Sequence, residues 1–208
     1  MVDCHHIQFK GVSVRYGGAD TIRLRSCSDV LFEHVDVRAG SRAVLLETSD
    51  DETNERITFA DCRFDGGLPP WTFRSDRKNA YFFDDGTGGP PYAFDELGYG
   101  TAGVLFSGTK QSLATEVHHC EFVNGHDVYL FGDSMRFHHN LVDNINDDGL
   151  AFINDTTNIQ IHENVVTNSH TALSFDGERI GPVWIYRNLF DTRQPTLGNR
   201  PPEPPPPT

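Results

Sequence analysis

Seven times along the chain the same short pattern returns: apolar, any, apolar, two further residues, a small residue or Asn, one more, and a closing apolar position. It is carried by IQFKGVSV from Ile7, VLFEHVDV from Val30, ITFADCRF from Ile57, TEVHHCEF from Thr115, MRFHHNLV from Met135, IQIHENVV from Ile159 and VWIYRNLF from Val183, Thr115 standing for an apolar residue in the fourth. Most copies are followed by a second apolar strand: TIRLR, AVLLE, GVLFS, DVYLF, GLAFI and ALSFD. The segments alternate with the two-residue period of a strand rather than the 3.6 of a helix, and Gly, Asn and Asp turns separate them.

Late in the chain the sixth column of the pattern falls at 120, 140, 164 and 188, so one repeat takes 20 to 24 residues. A unit this short cannot bury its own apolar face, whereas stacked units place like residue over like at about 4.7–4.9 Å and fill a continuous interior. The expectation is an all-β, right-handed parallel β-helix of about seven coils, three short strands to a coil, spanning 1–198 with a long inserted loop at 66–101. Leucine-rich repeats share the period, but their L-x-x-L-x-L signature is missing.

Asn140, Asn164 and Asn188 occupy the sixth column and are read as a structural ladder, their amides stacked at a tight turn and bonded to one another and to the neighbouring backbone. Cys4 with Cys27 and Cys62 with Cys120 share columns in successive coils. Stacking keeps their Cβ vectors parallel, which disfavours bridging, so free thiols are expected. Neither end looks like a cap: the first coil starts within a few residues of Met1, and 199–208, RPPEPPPPT with its neighbours, reads as a proline-rich tail or linker. Further coils or domains of the same polypeptide are expected beyond both ends.

The formal charge is −13, from 17 Lys+Arg against 30 Asp+Glu. With no basic stripe to displace counterions from phosphates, nucleic acid is not an expected partner. Nor is a membrane, since no apolar run approaches the roughly 20 residues of a span.

Stacking the second strands places His126, Asp147 and His170 in one column and Asp127, Asp148 and Thr171 in the next. NGHD, DD and SHT thus bring ionisable groups to one edge of three successive coils. Crowded carboxylates push their proton affinities apart, leaving one as acid and another as base, as glycosidic hydrolysis requires. The pattern resembles right-handed parallel β-helix proteins acting on polysaccharides. Its cluster is similar to that of polygalacturonase-type glycoside hydrolases, whose coils carry N-T-D, D-D, G-H-G and R-I-K. The resemblance implies catalytic roles for Asp127, Asp147, Asp148 and His170, and a polysaccharide as substrate or ligand. His126 and Arg179 are added as candidate substrate contacts. The chain departs from the motifs in reading NGHD and SHT, and Gly181 follows Arg179 and Ile180 where the family has Lys. A protein of this kind is expected to be secreted or periplasmic, its export signal lying upstream of this sequence.

Three other readings stay open at this level: a polysaccharide lyase or epimerase, a non-catalytic carbohydrate-binding scaffold, and an edge that is only a tight corner of turn-forming Asp and Gly. The insertion is rich in Gly, Pro and aromatics and leaves the coil beside the acidic edge. Trp71, Tyr81 and Tyr92 are candidates for stacking on sugars, and Arg74 for pairing with a uronate. No cofactor is assigned, calcium being the one ion the paired aspartates leave open. His118, His138 and His162 stack in one column and His119 and His139 in the next. At this level that array is ascribed to the likeness of the coils, without a metal.

Overall fold

The computed structural model describes residues 1–15, 20–38, 42–49, 51–67, 104–153 and 155–192. They form a parallel β-solenoid of about six turns. One face is built from His5–Lys10, Ser28–Glu33, Asn54–Ala60, Glu116–His118, Arg136–His138, Ile159–His162 and Val183–Tyr186, in that order across the sheet. A second face stacks Ser13–Arg15, Asp36–Arg38, Arg63–Asp65, Glu121–Gly125, Leu141–Phe152, Val165–Phe175 and Leu189–Asp191. Asp20–Arg25, Arg42–Glu47 and Ser107–Gly108 make a third. No helix among the described residues is long and apolar enough to cross a membrane.

Alternation within each strand decides what is buried. Val30 and Phe32, Ile57 and Phe59, and Ile159 and Ile161 point inward and are almost fully enclosed. In-register stacking then sets ring on ring: Phe9 on Phe32 at 5.0 Å, Phe32 on Phe59 at 4.8 Å, Phe64 on Phe122 at 4.8 Å and Phe152 on Phe175 at 4.8 Å. These stacked rings sit among buried Val, Ile and Leu side chains in the interior whose burial drives folding.

Between the first and second faces the chain turns a corner through a single left-handed residue: Gly11, His34, Asp61, His119, His139, Glu163 and Arg187 all have φ between 53° and 64°. One such residue redirects the strand without a loop, at some steric cost wherever it is not glycine. Immediately after it comes the predicted ladder. Asn140 N–H donates to Asn164 Oδ1 and Asn164 N–H to Asn188 Oδ1, both at 2.9 Å, while the Asn140 and Asn164 amides donate inward to Val117 O and Phe137 O. The column continues upstream in thiols: Cys120 N–H donates to Asn140 Oδ1, and Cys62 N–H to Cys120 Sγ at 3.4 Å. All four cysteines are free.

The later coils depart from three short strands. In Leu141–Phe152 and Val165–Phe175 the second and third strands run together around a corner at Asn144 and Asn168, both left-handed. A second polar ladder bridges that corner, Asn144 to Asn124 at 2.8 Å, Asn124 to Asp65 at 3.1 Å and Asn168 to Asp143 at 2.7 Å. Of the inserted loop, Trp71, Arg74, Tyr81 and Tyr92 lie outside the described residues, as does the proline-rich tail.

Candidate functional site

The acidic edge is made by slack in one coil. The pairing offset is 20 residues at Gly125↔Ile145 and 22 at Tyr129↔Ala151, so the chain through Asp147 and Asp148 takes up two extra residues against the coil below. Toward the coil above, the register shifts again between Ile145↔Ser169 and Asp148↔Thr171. A bulge of this kind lets consecutive side chains serve one edge instead of alternating between faces. Asp147 N–H donates to His126 O at 3.0 Å and Val128 N–H to Asp148 O at 3.3 Å, so both aspartates bracket Asp127.

The predicted columns therefore meet. His126, Asp127, Asp147 and Asp148 are all buried, and ligand atoms of the first three lie within 4.8 Å of one another. Asp127 is the most firmly held. Its Oδ1 accepts the Asp148 N–H at 3.1 Å, its Oδ2 accepts the Tyr129 hydroxyl at 2.8 Å, and His126 Nε2 stands 3.7 Å from Oδ2. Burial pushes its carboxyl above the ordinary range, against the attraction of His126 and with repulsion from Asp147 added. Asp148 is pushed up to about 6, first by burial and then by the charges of Asp147 and Asp127, despite the 2.8 Å bond donated by Ser174. On the third coil, exposed His170 places Nδ1 3.8 Å from Asp147 Oδ1.

The 21-residue spacing that sets Asp147 over His126 would also set Phe152 over Phe131, and there the structure differs. Phe152 pairs with Leu130, not with Phe131, which stacks on Phe106 in the interior at 5.3 Å. The aspartate columns survive because the two extra residues are absorbed across them.

Arg179 is not part of the cluster. Its Nε donates to Asp155 Oδ1 at 3.1 Å on the preceding coil, and it lines a polar cavity of about 650 Å³ with Lys110, Asp155 and Asp176. Asp176 accepts from Ser174 at 3.2 Å, and Ser174 in turn bonds Asp148, so the cavity adjoins the cluster through one hydroxyl. The inserted loop is rooted here too. A Cβ on Gly66 would lie 2.4 Å from Asn124 O, just before His126, and on the chain's return Leu105 N–H donates to Asp127 O at 2.8 Å.

Tyr129 and Ser174 were missed by sequence reasoning. The signal for Tyr129 was its place two residues after Asp127, on the same side of a strand. Ser174 offered none, since its reach depends on the bulge. His126, Asp127 and Asp147 present one imidazole and two carboxylates, a set poorer in oxygen than the roughly six to eight ligands calcium takes.

No protein-family model matches the chain, and neither a curated protein nor a solved structure matches it. What is shown is a β-solenoid carrying a buried carboxylate and imidazole cluster.

Proposed function

We propose that this solenoid is a carbohydrate-active enzyme that hydrolyses a glycosidic bond at the Asp127–Asp147–Asp148 cluster. The observation that carries the reading is the Asp148 carboxyl, which keeps its proton to about pH 6 beside two further carboxyl groups. A protonated carboxyl can donate to the departing glycosidic oxygen while an ionised neighbour attacks the anomeric carbon or activates water. Asp147, whose Oδ1 lies 3.8 Å from His170 Nδ1, is the partner that attacks or activates water. Asp127, fixed by Tyr129 and the Asp148 amide, is a positioning residue that raises the proton affinity of Asp148. The adjoining cavity of about 650 Å³ falls within the roughly 300–1,000 Å³ of ligand clefts. Lys110 and Arg179 stand along its wall with Asp155, Asp176 and Glu178, a polar lining suited to sugar hydroxyls.

Lys110 and Arg179 also favour a second reading, a lyase, which draws an acidic α-proton with a basic residue. A panel of neutral and uronic polysaccharides, assayed for new reducing ends and for the absorbance of unsaturated products, separates the two. Hydrolysis is expected to give reducing ends alone, to decline as the pH rises through about 6, and to vanish in Asp148→Asn. Unsaturated product would replace the hydrolase by a lyase, and binding with neither signal would leave a non-catalytic scaffold.

A further inference from the structure

Away from the carboxylate cluster, at the corner between the first and second faces, three successive coils carry a histidine array. His118, His138 and His162 are in register at the strand ends. Their rings stack at 5.3 and 4.7 Å, within 9° of parallel, and Tyr186 continues the column at 4.8 Å. His119 and His139 follow in the left-handed corner position. Because that corner turns the chain through one residue, consecutive side chains meet edge to face: His138 Nδ1 lies 2.9 Å from His139 Nδ1, and His118 Nδ1 the same distance from His119 Nδ1.

Likeness of coils does not account for this. The same two columns hold Lys10 and Gly11, Glu33 and His34, and Ala60 and Asp61 in the first three coils. Histidine in both positions is confined to the coils at 118 and 138, and the coil above keeps His162 and puts Glu163 in the corner.

We propose that His138, His139, His162 and Glu163 bind one divalent transition-metal ion of the zinc class, clamping two coils together. Ligand atoms of the three histidines lie within 4.8 Å of one another. Glu163 Oε2 is 2.9 Å from His162 Nδ1 and 3.3 Å from His139 Nε2. A tetrahedral site with ligands at about 2.0–2.1 Å has edges of roughly 3.3 Å, so closing on an ion requires the His138 and His162 rings to tilt out of their parallel stack toward each other. The surroundings set their orientation. His138 Nε2–H donates to Glu116 Oε1 at 3.2 Å, which leaves the Nδ1 lone pair turned toward His139, the carboxylate–histidine arrangement that supports metal ligands. Arg187 Nη1, 3.5 Å from Glu163 Oε1, holds the other carboxylate oxygen and leaves Oε2 for the ion.

The test is calorimetric titration of the chelator-treated full chain with zinc chloride, with thermal unfolding followed in parallel. One ion per chain at micromolar affinity or tighter is expected, together with a rise in the unfolding midpoint. His139→Asn, which keeps a residue tolerant of the left-handed corner, and His162→Gln are each expected to weaken binding at least tenfold and to remove the rise. Cobalt(II) in place of zinc is expected to give the absorption of a four-coordinate site, and calcium no heat at all. Affinity no better than millimolar, equal binding by native chain and both variants, or calcium binding as well as zinc would each overturn the proposal.

Discussion

Replacing Asp148 by Asn is expected to stabilise the fold at neutral pH and to do nothing for it in acid. The folded Asp148 carboxyl titrates at about 6 against an ordinary value of 3.8, because burial and two neighbouring carboxylates penalise its charged form. Between those two values the folded chain binds more protons than the unfolded one, so stability falls as pH rises and the loss is complete above about 6. The displacement amounts to about 3 kcal/mol, at 1.36 kcal/mol for each tenfold change in proton affinity. Asn carries no charge to penalise, and its carbonyl oxygen still accepts the Ser174 hydroxyl. Allowing for relaxation and water entry, a gain of about 2 kcal/mol at pH 7.5 is reasonable, roughly 4–8 °C for a chain of this length. Urea and thermal unfolding of the native chain and Asp148→Asn at intervals from pH 4 to 8 would measure it. The two curves should converge near pH 4 and separate through pH 6. A difference independent of pH, or a variant less stable at pH 7.5, would refute the account of why Asp148 holds its proton. A gain in stability with a loss of turnover would mark strain retained for chemistry.

Asn164→Leu should lower stability by about 2–5 kcal/mol, read as a fall in the urea midpoint, since it strands the buried Asn140 N–H and the Phe137 carbonyl together. Gly132→Ala should cost at least as much as a disrupted core packing, about 3 kcal/mol or more, because its φ is 78° and the new Cβ would lie 2.1 Å from Ser112 O. Circular dichroism melts of that variant would show it, and an unchanged midpoint would mean that the corner can open without penalty.

The solenoid was legible because its period is written in residue types: apolar residues, often Phe over Phe, fall in the same columns, and Cys and then Asn follow one another in the sixth column from Cys62 onward. The acidic edge was legible for the same reason, as Asp147 and Asp148 fall over His126 and Asp127 by repeat spacing alone. Its inner workings were not. A repeat alignment assumes equal residues per coil, whereas the coil through Asp147 absorbs two extra residues, and so Leu130, not Phe131, pairs with Phe152. Ser174 reaches Asp148 only across that irregularity. The ladder through Asn124 and Asn144 escaped because these residues lie in a corner the template does not cover. The histidine array was visible as columns, but the 2.9 Å approach of sequence neighbours depends on a left-handed backbone angle that no residue type announces.

Every column couples a residue to the ones directly above and below it and to few others, which has a bearing on how such a chain can change by descent. Phe59 is touched by Phe32 one coil earlier and by Phe106 later in the chain, as well as by Phe64 five residues on, so a smaller ring there can be compensated at distant places as readily as at a near one. Many substitutions accepted together would be found some twenty to sixty residues apart, in files running along the axis. Heredity in this molecule is organised across the windings rather than along the thread.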